Sequence, residues 1–274
     1  MPPHISRARG RPRSFNDTSK STLIQSLDRA MDVLKVVAKG RGMSLTEIAE
    51  ASGQSASTAY RILITLEKHG IVQFDEPAQL WQVGLEAFRI GSSLLGRTQV
   101  VEQSRPVMQR IMTATGETAN LAIVDQGEVI FVSQVETHEP IRAFFRPGTR
   151  GPIHASGIGK ALLAFFPEAQ IEAVLKRRAL TAFTDKTITS KEALLAELER
   201  IRTRGWSIDD EERTPGMRCI AAPIFNQFGE ATAGISLSGP SVRVMPERDA
   251  EYGTLVREAA EEITRAIGGS WPQP

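Results

Sequence analysis

Apolar positions along the first third of the chain repeat first with a helical period, then with a shorter one. In "SLDRAMDVLKVVAKG", Leu27, Ala30, Met31, Leu34 and Val37 fall on one helical face. That spacing predicts a helix with Ser26 as N-cap and Gly40 as stop. "SLTEIAEAS" predicts a second, shorter helix. Ser44 caps it, Glu47 completes a capping-box pattern, and Ile48 and Ala49 point inward. Gly53 falls in the following turn, which needs a residue at ease with positive φ. A third helix runs from Ser55 to His69 and stops at Gly70, with Ala59, Ile62, Leu63 and Leu66 on one face and Ile64 outside that stripe. Two short strands follow, Ile71–Phe74 and Leu80–Val83, around a turn containing Pro77. Three helices and a two-stranded wing describe a winged helix-turn-helix.

Beyond the wing, "LEAFRIGSSLLGR" continues as a helix whose Leu85, Phe88, Ile90, Leu94 and Leu95 form a broad apolar surface. Residues 101–115 form another, with Val107, Ile111 and Met112 toward a core and Gly116 as stop. A hairpin is expected over Asn120–Val124 and Glu128–Glu136, turning at Asp125-Gln126-Gly127. "IRAFFRPG" is read as a further strand and "HASGIGKALLAFF" as a loop opening into a helix. Two amphipathic helices, three strands ("WSIDDEE", "RCIAAPIF", "TAGISLSG") and a closing helix complete the order. Mixed helices and strands predict an α+β domain built on an antiparallel sheet. Strand alternation puts Cys219, Ala221 and Pro223 on one face and Ile220, Ala222 and Ile224 on the other. Ser236 and Ser238 likewise share one face, against Ile235 and Leu237. One sheet face is therefore aliphatic; the other carries small residues, a thiol and hydroxyls, which is the make-up of a small polar pocket.

Composition divides the chain by charge. Residues 1–70 carry 11 Lys/Arg against 6 Asp/Glu, a net +5, and the remainder carries 22 against 26, a net −4. A basic front points to a polyanion at that end only. On the third helix, Ser55, Ser57, Thr58, Tyr60 and Arg61, joined by Thr46 of the second, form a polar face suited to base edges and phosphates in a major groove. The bland alternative is a helical bundle with a solvated face; the wing favours DNA. Ahead of it, residues 1–21 form a basic tail expected to lack structure. Its Arg-Gly-Arg-Pro core, with Arg9, Arg11 and Arg13, resembles the AT-hook of the A·T minor groove, or else is a solubilising extension. No apolar run reaches membrane-spanning length, and no apolar stretch like that of a secretory signal follows the basic start. The expected location is cytoplasmic.

A single cysteine, Cys219, excludes an internal disulfide and multi-cysteine zinc sites, and His4, His69, His138 and His154 lie too far apart for metal-ligand spacing. No metal or cofactor is expected. A cysteine-dependent hydrolase or transferase needs a base beside the thiol. His154 is the one candidate, and no motif ties it to Cys219. A third reading, an architectural protein acting through the tail alone, leaves the pocket without a use. "GIGK" lacks the leading glycine spacing of a phosphate loop, so nucleotide binding is rejected. Instead, Gly157 and Ile158 offer free amides where a loop becomes a helix, with Ser156 as N-cap and Lys160 read as solvated.

The stretches "SLDRAMDVL", "LTEIAEASGQSASTAYRILITLEKHGIV", "GPIHASGIGKALLA", "RGWSIDDEERTPGMRCIAAPIF" and "AGISLSGP" together resemble the IclR family of bacterial transcription regulators, over about residues 22 to 268. The resemblance implies a winged helix-turn-helix at 22–83, a linker helix at 84–100, and a GAF-like effector-binding domain at 101–274. It implies a regulator, not an enzyme, acting as a homo-oligomer (a dimer, or a homotetramer of two dimers) on a near-palindromic double-stranded DNA operator. It also implies a small carboxylate effector, a 2-oxo acid such as glyoxylate or pyruvate, held on the amides of Gly157 and Ile158. Polar contacts would come from Asp209, Cys219, Ser236 and Ser238, and an apolar wall from Ala143, Phe144 and Phe145.

Overall fold

A computed structural model of the chain describes residues 23–95 and 99–272. The expected minor-groove contacts of Arg9, Arg11 and Arg13 lie outside those residues. The described residues fall into two compact units, residues 23–95 and 99–272.

The first unit contains α1 (Gln25–Lys39), α2 (Leu45–Ser52), α3 (Ala56–Lys68), β1 (Val72–Asp75), β2 (Leu80–Val83) and α4 (Leu85–Leu95). Ser44 and Glu47 form the full capping box of α2. Gly53 ends that helix at φ 64°, where a β-carbon would be strained. Ser55 caps α3 by accepting from the Thr58 amide. Val33, Val37, Ile48, Leu63, Val72 and Trp81 form the core, so the wing is packed onto the helices. Two expectations for α1 need correction. It starts at Gln25, so Ser26 lies within it, and Ile24 occupies the N-cap without a side-chain hydrogen bond. Its buried stripe is Val33 and Val37, while Leu27 and Met31 face outward. The apolar surface here is wider than one small core can cover. Leu85, Phe88 and Ile90 of α4 are exposed too, and nothing is described for the side chains of Leu94 and Leu95.

The second unit contains α5 (Val100–Thr115), β3 (Thr118–Asp125), β4 (Glu128–Val135), β5 (Arg150–Pro152), α6 (Gly157–Leu163), α7 (Glu168–Arg177), α8 (Lys191–Arg204), β6 (Ser207–Asp210), β7 (Met217–Phe225), β8 (Ala231–Pro240) and α9 (Asp249–Ala266). The strands form one antiparallel sheet in the order β5-β4-β3-β8-β7-β6. Alternation divides their side chains between two cores. Ile220, Ala222, Ile224, Ile235 and Leu237 pack with α5 and α9. Ala221 and Phe225 face the other way, onto Ile158, Leu162 and Leu198 of α6 and α8. The small-residue face is thus roofed by a helix.

"IRAFFRPG" is not a strand. Pro147 has no amide to donate and Gly148 turns the chain at φ 88°, so pairing with β4 begins only at Arg150. Backbone bonds from Gly148 to Phe131 and from Phe131 to Thr149 tie the segment's end to β4, and Arg243 donates to the Ile141 carbonyl at 2.8 Å.

The Ser44 cap gives the first prediction. Ser44→Ala should lower stability by roughly 1 kcal/mol, read from the urea midpoint. A loss under roughly 0.3 kcal/mol would mean that the capping box carries little of the helix-turn-helix geometry.

Candidate functional site

A cavity of about 70 Å³ lies between α6 and the small-residue face of the sheet. Register builds its floor. Cys219 stands opposite Ser238, Ala221 opposite Ser236, and Asp209 of β6 opposite Cys219. Asp209, Cys219, Ser236 and Ser238 all line the cavity, as do Gly157 and Ile158 of α6. With Phe145, seven of the nine residues expected around an effector line the cavity, six of them from four separate elements.

The close approach of α6 depends on Gly157. A β-carbon there would sit 2.8 Å from Cys219 Sγ and 3.4 Å from the Ala221 β-carbon. The Ser207 hydroxyl donates to the Gly157 carbonyl at 2.6 Å and fixes the approach. Ser156 caps the helix by accepting from the Gly159 amide. The first-turn amides of Gly157 and Ile158 have no carbonyl one turn back to bind.

The floor hydroxyls are oriented from β3. Asn120 Nδ2 donates to Ser238 Oγ at 3.2 Å and to Ser236 Oγ at 3.4 Å, and Gln134 Nε2 donates to Asn120 Oδ1 at 2.8 Å. Neither Asn120 nor Gln134 was singled out from sequence. Their signal was present, though, as polar residues inside strands on the same face parity as the serines.

The apolar wall follows expectation only in part. Phe145 lines the cavity and stacks on Phe131, with centroids 4.2 Å apart and planes 2° from parallel. Phe144 points outward and is 52% exposed, and Ala143 is buried elsewhere, outside the cavity lining. With no strand at that segment, the expected side-chain alternation does not apply. Phe131 of β4 supplies the ring that the sequence reading missed, and Arg213 and Arg150 flank the cavity as well.

Lys160, read as solvated, is buried and paired with Glu212. Every residue of α6 is buried, so the helix has no outer face for a lysine. "GIGKALL" carries no other polar side chain, which is the pattern of a helix enclosed on all sides. Burial pushes the Glu212 carboxyl up to about 7 despite Lys160. Its Oε2 has no hydrogen-bond partner among the described residues. Asp209, whose Oδ1 accepts from the Glu212 amide at 2.8 Å, is also pushed up by burial, against the pull of Lys160.

These fields bear on Cys219. Burial and the Asp209 charge push its thiol up to about 11, so it is protonated at neutral pH. His154 Nε2 donates to the Thr181 carbonyl at 3.1 Å, and His154 is not part of the cavity lining. The geometry gives no activated thiolate.

On the first unit, Ser55, Ser57, Tyr60, Arg61 and Thr46 are exposed and Thr58 is half-buried. Ser55 Oγ bonds Thr58 Oγ1 at 2.9 Å, which orients the start of the polar face. Ile64 borders a groove beside Phe74 and Trp81 of the wing.

The Glu212 shift has a signed consequence. Its folded pKa lies above the unfolded value of 4.5, so its contribution is fully present below pH 4.5 and is lost as pH rises through about 7. The stability difference between Glu212→Gln and the parent should therefore move in favour of glutamine across that window and level off above it. Thermal melts at several pH values read this directly; a drift in the opposite sense would mean that the charged pair with Lys160 outweighs its desolvation.

Comparison with known proteins agrees with this architecture. Residues 26–76 match the IclR helix-turn-helix domain, and residues 92–265 match the bacterial transcriptional regulator IclR C-terminal family. The chain is 49% identical over 261 residues to the HTH-type transcriptional regulator BhcR of Paracoccus denitrificans, covering 94% of each chain. The crystal structure of the Thermotoga maritima IclR superposes with a TM-score of 0.78 at 33% identity, covering 90% of this chain and 100% of that one. An IclR homolog from Microbacterium hydrocarbonoxydans, complexed with 4-hydroxybenzoate, superposes with a TM-score of 0.77 at 26% identity, covering 88% and 98%. The two family models together span both units, and the chain is a member of the IclR family of bacterial transcriptional regulators.

Proposed function

We propose that this regulator binds its operator under the control of a small carboxylate, a 2-oxo acid such as glyoxylate or pyruvate, held in the cavity under α6. The observation that carries the reading is the convergence of Asp209, Cys219, Ser236 and Ser238 on the free amides of Gly157 and Ile158 in one small cavity. Backbone amides suit the carboxylate. The serine hydroxyls and the protonated thiol suit a 2-oxo group. Asp209, already raised by burial, takes a proton as the anion enters and donates to it. A cavity of about 70 Å³ suits a small acid rather than a bulky one. The Microbacterium relative is complexed with 4-hydroxybenzoate. Here a ring of that size requires Phe131 or Phe145 to move.

The operator-facing surface is Ser55, Ser57, Thr58, Tyr60 and Arg61 with Thr46, with the tail arginines Arg9, Arg11 and Arg13 in the adjacent minor groove. The division of labour is a DNA-binding domain at 22–83, a linker helix at 84–100, and a GAF-like sensor at 101–274. The exposed Leu27, Met31, Leu85 and Phe88 are the apolar surface on which a second copy docks. A dimer places two recognition helices on a near-palindromic operator. Ligand binding shifts the populations of DNA-competent and incompetent arrangements.

Calorimetry should show glyoxylate or pyruvate binding at least about tenfold tighter than 4-hydroxybenzoate, a difference of about 1.4 kcal/mol. Gly157→Ala should abolish that binding, because the added carbon displaces either α6 or Cys219. Mobility shift on the operator should then change with ligand in the parent and not in the variant. Equal affinity for the aromatic acid, or ligand binding without effect on DNA, contradicts the reading.

A further inference from the structure

Beside the small cavity lies a cleft of about 480 Å³. Its walls come from the C-terminal end of α7, from β5 and the residues after it, and from the 179–183 loop. Four arginines line it, Arg150, Arg177, Arg178 and Arg213. The ring wall is His154 and Phe183, tilted against each other at 6.0 Å.

Charge in the cleft is unbalanced. Glu128 is the one carboxylate in its lining, and it is shared by Arg150 at 3.1 Å and Arg178 at 3.2 Å. Arg150 reaches a second partner, Asp125, at 3.0 Å. Arg177 and Arg213 have no carboxylate partner among the described residues; Arg213 lies over the Phe183 ring at 4.8 Å. Like charges gathered in a concavity repel one another and raise the local potential. Glu128 and Asp125 together cancel only part of that excess. A ligand with two or three anionic groups cancels it and offers each guanidinium a bidentate partner. The volume falls within the ordinary range for small-molecule sites, roughly 300–1,000 Å³. A concave recess walled by rings suits a compact molecule better than a nucleic acid backbone, which lies along a convex or grooved strip.

We propose that this cleft is a second ligand site, distinct from the 2-oxo acid cavity, for a small polyanionic metabolite: an organic acid with two or more carboxylates, or a phosphorylated acid. The inference stands apart from the effector reading above, because Arg177, Arg178 and His154 line the cleft and not the cavity. Arg150, Gly151, Pro152 and Arg213 are shared walls, so occupancy of one site is felt at the other.

The test is isothermal titration of the full chain with citrate and, separately, with 3-phosphoglycerate, at about 50 mM salt so that screening does not hide the attraction. At least one should bind with one molecule per chain. Citrate alone would identify a carboxylate site, 3-phosphoglycerate alone a phosphate site, and both a site that reads charge. Arg177→Gln should weaken binding, and Arg177→Gln/Arg178→Gln should weaken it by about tenfold or more, while glyoxylate affinity changes by less than about twofold. An unchanged melting temperature certifies the fold of each variant. Four results overturn the proposal. Neither probe binds up to about 5 mM; the double variant binds like the parent; glyoxylate binding falls in parallel, which makes the cleft an entrance to the cavity; or operator binding without small anions falls, which makes it a DNA contact.

Discussion

The sensor unit is organised by one close contact. The first residue of α6 rests directly on Cys219 and Ala221, and only a glycine permits it. Everything in the cavity depends on that approach. It sets the distance between the free amides of α6 and the hydroxyl-bearing strands, and it keeps the space small. The contact is possible because the facing strand positions are themselves small, so the residues that leave room for a ligand also let the helix come close. Ser207 then holds the helix from the neighbouring strand by bonding the Gly157 carbonyl.

A buried ion pair extends this arrangement to the β6–β7 loop. Lys160, one turn into α6, meets Glu212, whose amide in turn binds Asp209 at the cavity edge. Thr184 and Thr187 clamp the same loop by donating to the carbonyls of Glu211 and Glu212. Burying these charges is costly unless each is compensated, and Glu212 is only half compensated. Asp209 at the cavity edge is thus joined to Lys160 by a short chain of direct contacts through Glu212.

Much of this was legible in the sequence, for physical reasons. Period-two alternation with small residues on one face placed Cys219, Ser236 and Ser238 together, because a strand's side-chain geometry leaves no freedom about which face a residue joins. Capping chemistry placed Ser44, Gly53 and Ser55, because helix ends have orphan groups that few residues satisfy. The failures share one cause, which is that local pattern does not record what covers a segment. "IRAFFRPG" looks like a strand until Pro147 and Gly148 are seen to interrupt its pairing, and with it went the assignment of Phe144. Lys160 looks like a surface residue until α6 is found enclosed on every side. Leu27 and Met31 share the helical stripe of α1, yet this unit's own core does not cover them.

The central claim is spatial: a small 2-oxo acid sits between the α6 amides and the serine-bearing strands. A crystal structure of the full chain grown with glyoxylate measures it most directly. The account predicts the carboxylate on the Gly157 and Ile158 amides, with the oxo group toward Ser236 and Ser238 and the Phe131–Phe145 stack unmoved. Glyoxylate bound at another place, or a cavity left without it at saturating concentration, would contradict the account.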